Sequence, residues 1–165
     1  MTIFSRIKKV TTPIIYIIRG LSGTGKTTLG LKLLKYGYID SMYQTDDYFY
    51  LDGKYIFDGR NLQKAHQWCQ NKVSLDLSNN KRVAVCNTFT TRWEMEWYLL
   101  YAKKNNIEIR VITLDHTKYT DEELFIRNVH NVPLNIISNM RKRWETDWYN
   151  SSPIPPWKRN NCNFY

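Results

Sequence analysis

The feature that most constrains the fold is a glycine-rich run between an apolar segment and a segment with helical periodicity. The run is Gly20-Leu21-Ser22-Gly23-Thr24-Gly25-Lys26-Thr27, which fits the pattern G-x-x-x-x-G-K-[ST]. Residues 13–18 are apolar and β-branched, which predicts a buried parallel strand, and residues 28–35 predict a helix. In a strand, loop and helix of this kind, consecutive backbone N–H groups face an anion at the helix N-terminus. The run therefore predicts a polyphosphate-binding loop.

The residue types in the loop suit a nucleotide with a magnesium ion. Glycines allow backbone angles that a Cβ would block and let a phosphate approach closely. Lys26 can reach the β- and γ-phosphates, and the Thr27 hydroxyl can ligate Mg²⁺. The residues expected to bind the nucleotide are Gly20, Leu21, Ser22, Gly23, Thr24, Gly25, Lys26, Thr27 and Thr28.

Size and charge narrow the class of protein. A chain of 165 residues with 42% hydrophobic residues suits one domain, with residues 1–12 as a basic arm and residues 146–165 as a proline- and aromatic-rich tail. Three cysteines without metal-ligand spacing, and no apolar run of about 20 residues, predict an intracellular protein that does not span a membrane. The net charge of +9 favours a polyanionic partner, of which nucleic acid is the usual one, although a basic surface kept for solubility explains it equally well.

The rest of the chain alternates strand and helix patterns. Further strands are predicted at residues 38–45, 83–86 and 107–114, and further helices at 61–77, 93–104, 120–129 and 133–140. Residues 51–60 predict a turn-rich connection. This alternation predicts an α/β fold with a P-loop NTPase core, three α/β/α layers and a parallel sheet of four strands in the order 2-3-1-4.

Ligands in such sheets bind beyond the carboxyl ends of the strands, and three polar stretches follow predicted strands. They are the glycine loop, Asp46-Asp47 and Asn87-Thr88. A carboxylate after the second strand can face the γ-phosphate, where it can accept a proton or hold Mg²⁺ through water. We expect Asp46 to be the general base and Asp47 to be a cap or structural partner; a helix N-cap or a solvated turn is the alternative for both.

Two further groups of side chains are candidates for the site. Arg127, on a late helix, could stabilise the charge of a transferring phosphoryl group, while Arg141 and Arg143 more simply predict a charged helix face. Tyr48 and Phe49, beside the predicted base, are candidates for stacking on nucleic-acid bases, although most aromatic residues here fit a core. The three histidines are scattered and predict no metal site.

The chain resembles the P-loop 5′-hydroxyl polynucleotide kinases of bacteriophage type, and more closely a branch that includes the kinase domain of the Nedd-four-binding proteins. The resemblance covers about residues 14–145. Its matching stretches are residues 17–28, Thr45-Asp46-Asp47-Tyr48-Phe49, Tyr55-Ile56-Phe57-Asp58 with Ala65-His66-Gln67-Trp68, Asn87-Thr88, and Arg127-Asn128-Val129-His130-Asn131-Val132-Pro133 with Met140 and Arg143-Trp144-Glu145.

The resemblance implies an adenylate-kinase-like core that uses ATP and Mg²⁺. It implies that Asp46 deprotonates a 5′-hydroxyl, and that Lys26 and Arg127 are the cations on the transferring phosphate, with Arg127 in a helical lid. On this reading the acceptor is a nucleic acid, and its candidate contacts are Asp47, Tyr48, Asn87 and Thr88. A kinase for a nucleoside or sugar, and an ATP-binding module without catalysis, are the two alternatives.

Two positions depart from the family pattern. The family's third strand ends in Asp-Asn-Thr-Asn or Ser-Asp-Thr-Asn, whose acid helps to hold the acceptor in the phage-type enzymes, whereas this chain has Cys86-Asn87-Thr88-Phe89. The phage enzymes also carry an arginine where this chain has Phe49, but the Nedd-four-binding branch lacks that arginine too. The first departure bears on acceptor binding and on activity itself.

Overall fold

The computed structural model describes residues 12–159, so the predicted N-terminal arm lies almost wholly outside the described residues. The elements along the chain are β1 (Ile14–Arg19), α1 (Lys26–Lys35), β2 (Ser41–Tyr43), β3 (Tyr50–Leu51), β4 (Lys54–Tyr55), α2 (Leu62–Ser78), β5 (Arg82–Asn87), α3 (Arg92–Lys104), β6 (Glu108–Thr113), α4 (Asp121–Arg127) and α5 (Leu134–Lys142), with 3₁₀ turns at Thr45–Phe49, Gly59–Asn61 and Pro156–Lys158.

The central sheet has four parallel strands in the order β2-β5-β1-β6. This is the order 2-3-1-4 that the sequence predicts, so the prediction is confirmed. The apolar run in β1 is buried because β1 is an inner strand, paired with β5 on one side and with β6 on the other. The half-alternating pattern of β6 fits its place at the edge of the sheet.

Helices cover both faces of the sheet, as the three-layer prediction requires. Because side chains alternate along a strand, Ile15 and Ile17 of β1 face α2 and α3, where Cys69 and Met95 are among the buried residues. On the other face, Ile18 packs with residues of α1, and a cluster of buried and partly buried apolar side chains closes that layer. Burial of these two faces supplies the main stabilisation of the fold.

A third cluster places the lid on the glycine loop. The cluster consists of Leu21 of the loop, Leu124 of α4 and Ile137 of α5, and all three side chains are fully buried. The start of α4 is fixed by a capping box between Thr120 and Glu123, which agrees with the helix predicted from residue 120. The predicted lid is therefore a pair of short helices whose apolar sides pack onto the loop.

The connection predicted at residues 51–60 contains a β-hairpin that sequence patterns missed. β3 and β4 pair antiparallel, with Tyr50 opposite Tyr55. The turn is Asp52-Gly53, with φ of +49° and +76°, as a type I′ turn requires. Strands of two residues are too short to show alternation, so only the turn signalled them.

The described part of the predicted tail, up to residue 159, runs over the surface of the domain. Trp148 packs against the cluster under α3, and Trp157 contacts Trp93 edge-on with ring centroids 4.8 Å apart. The Arg92 guanidinium also donates to the Tyr149 carbonyl oxygen. Across residues 12–159, no helix is both long and apolar enough to cross a membrane.

Candidate active site

The glycine loop follows β1 directly and holds Lys26 at the start of α1. The ammonium group of Lys26 donates to the carbonyl oxygens of Gly20 and Leu21, at 2.9 and 3.0 Å. Burial lowers the pKa of Lys26 to about 8, against smaller raising effects from Cys86 and Asp46. The lysine is therefore a poorly solvated cation, for which anionic oxygens would be favourable partners.

Two loop positions require glycine for different reasons. Gly23 has a φ of +84°, and a Cβ there would collide with the carbonyl oxygen of Leu124 in α4. Gly25 has a φ of +95° and is open, with nothing within 4 Å of a Cβ position. Gly23 thus allows the lid helix to approach the loop, while Gly25 serves the backbone conformation at the N-terminus of α1.

The Thr27 hydroxyl is connected to Asp47 by hydrogen bonds through Gln44. It donates to Gln44 Oε1 at 2.7 Å, and the backbone N–H of Gln44 donates to a carboxylate oxygen of Asp47 at 3.0 Å. Asp47 completes a capping box with Gln44 at the start of the 3₁₀ turn Thr45–Phe49. Hydroxyl, amide and carboxylate oxygens are the ligands that Mg²⁺ prefers, so Thr27, Gln44 and Asp47 fit a site for that ion.

Asp46 lies one residue into that turn, and other elements face both of its oxygens. The Tyr55 hydroxyl donates to Asp46 Oδ1 at 3.2 Å, and His130 Nε2 lies 3.8 Å from Asp46 Oδ2. The carboxylate side chain is still 40% exposed. Burial and the neighbouring carboxylate raise the pKa of Tyr55, so its hydroxyl stays protonated as the donor. Asp46 is thus an accessible carboxylate that the Tyr55 hydroxyl helps to orient.

Arg127 is the last residue of α4 and reaches back to the loop. Its Nε donates to the carbonyl oxygen of Gly23 at 3.0 Å, and its guanidinium carbon lies 4.4 Å from the centre of the Tyr119 ring. These two contacts hold the charge beside the loop. The structure therefore brings the predicted residues Lys26, Asp46 and Arg127 around the same edge of the sheet.

The carboxyl end of β5 serves a different purpose from a free acceptor contact. Asn87 Oδ1 accepts from the backbone N–H of Thr45 at 2.9 Å, while its buried Nδ2 has no partner among the described residues. The carbonyl oxygen of Thr88 accepts from the N–H of Gly20 at 3.2 Å. Burial raises the pKa of Cys86 to about 12, so it stays a neutral thiol. Asn87 thus braces the turn that carries Asp46.

Arg19 is a residue that sequence patterns did not single out. It is fully buried at the end of β1, and its guanidinium donates to the carbonyl oxygens of Phe89, Thr90 and Glu145 at 3.0 to 3.2 Å. Its charge also lies 4.0 Å from the centre of the Trp144 ring. Burial lowers the pKa of Arg19 to about 10. Arg19 fastens the segment after α5 to the loop after β5.

The remaining candidates fall into packing roles or stay exposed. Phe49 is 5% exposed and packs against other aromatic rings, so it is not free to stack on a base, while Tyr48 is half-buried against Phe49 and Trp68. Arg141 ties α5 to Asp121 of α4 at 2.6 Å, and Arg143 donates to the Thr90 hydroxyl at 3.0 Å.

Gln44, Tyr55 and His130 reach the site without having been assigned a role. The Asp52-Gly53 turn between aromatic residues was a signal for the hairpin that carries Tyr55. His130 lies in a stretch that matches the family pattern, three residues after Arg127, but the resemblance gave it no role. Nothing in the sequence around Gln44 shows that its side chain meets Thr27, since the two are 17 residues apart.

The chain is 31% identical over 134 residues to NEDD4-binding protein 2 of Homo sapiens; the match covers 80% of this chain but 8% of that protein. Among solved structures, it is similar to a chain of the Pnkp1/Rnl/Hen1 RNA repair complex, with a TM-score of 0.63 at 17% identity over 84% of this chain and 46% of that one.

A gluconokinase from Sinorhizobium meliloti 1021 shares the fold as well, with a TM-score of 0.54 at 14% identity, over 82% of this chain and 77% of that one. No protein-family model matches the chain. Identities this low show the fold alone, whereas the match to the human protein adds a relation in sequence. With the glycine loop, the lid and the strand order, these findings support a P-loop polynucleotide kinase-like family, which the chain resembles in both sequence and fold.

Proposed function

We propose that this protein is an ATP-dependent kinase that transfers the γ-phosphate to the 5′-hydroxyl of a polynucleotide. The observation that carries the proposal is the convergence of three groups from distant parts of the chain. Lys26 belongs to the loop, Asp46 to the turn after β2 and Arg127 to the lid helix. Phosphoryl transfer needs positioning and charge stabilisation more than covalent chemistry, and these groups supply both.

Each group has one role. The backbone N–H groups of the loop and Lys26 would hold the β- and γ-phosphates. Asp46 would accept the proton of the attacking hydroxyl as the oxygen–phosphorus bond forms and the bond to the leaving diphosphate breaks. Arg127 would stabilise the negative charge on the transferring group.

Thr27, Gln44 and Asp47 would hold the magnesium ion. When bound, Mg²⁺ would neutralise part of the charge on the nucleotide phosphates. Asp47 would take part through the carboxylate that also caps the turn, and burial raises the pKa of that carboxyl. A nearby cation would favour its ionised form.

The polynucleotide acceptor is supported by charge, access and relationship. The net charge of +9 is more than one nucleotide needs. Asp46 is 40% exposed, so the end of a long chain can reach it without entering a closed cavity. A structural relative is a chain of an RNA repair complex, which fits an acceptor of that kind.

A small-molecule acceptor such as a sugar or a nucleoside is the second candidate, and the similarity of the fold to that of a gluconokinase favours it. A nucleotide-binding module without catalysis is the third, because the end of β5 carries Asn87 and no carboxylate. It predicts ATP binding with negligible turnover.

A transfer assay with labelled ATP separates the three. The acceptors would be 5′-hydroxyl DNA and RNA oligonucleotides, their 5′-phosphorylated forms as matched blanks, free nucleosides and gluconate. We expect label on the 5′-hydroxyl oligonucleotides and none on the blanks. Label on the small molecules alone would establish the second candidate, and ATP binding without any transfer would establish the third.

A further inference from the structure

We propose that His130 is a positioning residue for Asp46, and that its Nε2–H, together with the Tyr55 hydroxyl, orients the carboxylate that accepts the proton. This inference rests on the proposed function, since it assigns a partner to the proposed base. It adds a role for the turn after the lid helix, to which no site residue was assigned.

The two carboxylate oxygens of Asp46 face side chains from two different elements. Tyr55, from the hairpin, donates to Oδ1 at 3.2 Å, and His130, from the turn after α4, faces Oδ2 with its Nε2 at 3.8 Å. The two rings also contact each other, with centroids 5.0 Å apart. Tyr55 therefore restrains one oxygen of the carboxylate and His130 faces the other, while each oxygen keeps a lone pair for the acceptor hydroxyl.

The surroundings of the His130 imidazole favour one of its two neutral tautomers. His130 Nδ1 is buried and has no hydrogen-bond partner among the described residues. A proton on Nδ1 would bury an unpaired donor and would leave the Nε2 lone pair facing the negative Asp46 carboxylate, and both cost free energy. With the proton on Nε2, the donor points at the carboxylate. The geometry thus selects the tautomer that can hold Asp46.

The turn that carries His130 is restrained by side-chain hydrogen bonds of Asn128. Asn128 Oδ1 accepts from the N–H of Val132 at 2.8 Å, and Asn128 Nδ2 donates to the carbonyl oxygen of Phe125 at 2.7 Å. Pro133 follows at once and caps α5. A braced turn can place a side chain within the tolerance that proton transfer requires.

The segment from Arg127 to His130 connects the phosphate-binding loop with the proposed base. Arg127 contacts the loop through Gly23, and His130, three residues later, faces the base. One short segment therefore spans from the phosphate side to the acceptor side. A separation of 3.8 Å is longer than a hydrogen bond, and hydrogen bonds of this kind often shorten when substrate binds. A small closing movement of this segment would shorten it while keeping Arg127 at the loop.

Substitutions at His130 distinguish positioning from simple packing. His130→Gln keeps an N–H donor near the Nε2 position, whereas His130→Leu keeps apolar bulk without a donor. We expect His130→Leu to lower kcat about tenfold or more, with KM for ATP within about twofold, and His130→Gln to stay within about threefold of the wild type. A purely packing role predicts the reverse order, with leucine tolerated at least as well as glutamine, and would overturn the proposal.

Double variants test whether His130 acts through Asp46. Because a positioning residue has no effect once its target is gone, Asp46→Asn with His130→Leu should be no slower than Asp46→Asn alone. A full additional loss would overturn the proposal. Wild-type protein that transfers no phosphate to any 5′-hydroxyl oligonucleotide would instead refute the proposed function, so the two failures are distinct.

The tautomer gives a readout that needs no acceptor. Imidazole ¹⁵N spectra of the full chain, assigned with His130→Gln, should show the proton of the neutral ring on Nε2 in the wild type. The ring signals should change in Asp46→Asn, where the carboxylate is lost. A proton on Nδ1, or spectra that Asp46→Asn leaves unaltered, would overturn the proposal.

Discussion

The Nε of Arg127 donates a hydrogen bond to the carbonyl oxygen of Gly23 at 3.0 Å, across 104 residues of chain. The contact joins the end of the lid helix to the centre of the phosphate loop. Its directionality matters, because a guanidinium that uses Nε for the loop keeps its other N–H groups for a phosphoryl group. One hydrogen bond therefore positions both the lid helix and the guanidinium charge of Arg127 beside the loop.

Replacing Arg127 tests its assignment to the transferring phosphate. We expect Arg127→Ala to lower kcat by about 10²-fold or more while ATP still binds, because a cation that acts mainly in the transition state affects kcat more than affinity. Arg127→Lys should recover little, since lysine lacks the planar fork. Single-turnover transfer to a 5′-hydroxyl oligonucleotide is the measurement. Lys142→Ala, which removes an exposed cation from α5, is the matched control, and an equal loss there would contradict the assignment.

The lowered pKa of Lys26, about 8, makes a prediction about ATP affinity. Protonated lysine binds phosphate and neutral lysine does not, so affinity should be level below pH 8 and should fall as the pH rises through it. A phosphate group is already fully ionised in this range. We expect a loss of about tenfold between pH 8 and about 9.5. An ordinary lysine would give a level curve there, so a constant affinity would contradict the prediction.

Proton uptake on ATP binding tests the direction in which the pKa of Lys26 changes. Bound phosphates would raise the pKa of the ammonium group, so binding near pH 9 should take up a proton, whereas binding below pH 7 should take up almost none from this residue. Calorimetry in two buffers with different ionisation enthalpies measures this uptake. Proton release at pH 9 would mean that the group titrates in the opposite sense.

Arg19 should matter for stability more than any surface arginine. Arg19→Met would remove the buried guanidinium donor from the carbonyl oxygens of Phe89, Thr90 and Glu145, of which the Thr90 oxygen keeps the N–H of Glu145. We expect this loss to cost about 2–4 kcal/mol of unfolding free energy. Urea unfolding measures the loss. Arg60→Met, which removes a 91% exposed side chain paired with Asp58, is the matched control and should leave the transition unchanged. Similar transitions for the two variants would contradict the account.

Sequence patterns predicted the fold well where the signal was local and repeated. The alternation of apolar strands and helices indicated a parallel sheet, and the strands have the expected order 2-3-1-4. The helix predicted from residue 120 begins at the Thr120 capping box. The second strand is shorter than its predicted span of residues 38–45, because only Ser41–Tyr43 pairs with β5. Mixed polarity there gave no boundary to detect.

The site was predictable only in part, because half of it depends on contacts between distant residues. Asp46 and Arg127 stand out through motif and charge, but the pairing of Asp46 with Tyr55 and His130 depends on where a hairpin and a turn fold to. Phe49 shows the opposite error: an aromatic beside the base fits a stacking role, and burial within an aromatic cluster assigns it to packing.

The measurement that tests the central claim most directly is phosphate transfer by Asp46→Asn at saturating ATP. Asp52→Asn is its control, since Asp52 is an exposed hairpin residue in a left-handed conformation that asparagine also adopts. We predict that Asp46→Asn binds ATP normally and transfers phosphate to a 5′-hydroxyl oligonucleotide about 10²–10⁴-fold more slowly, while Asp52→Asn matches the wild type. Unchanged transfer by Asp46→Asn would contradict the account.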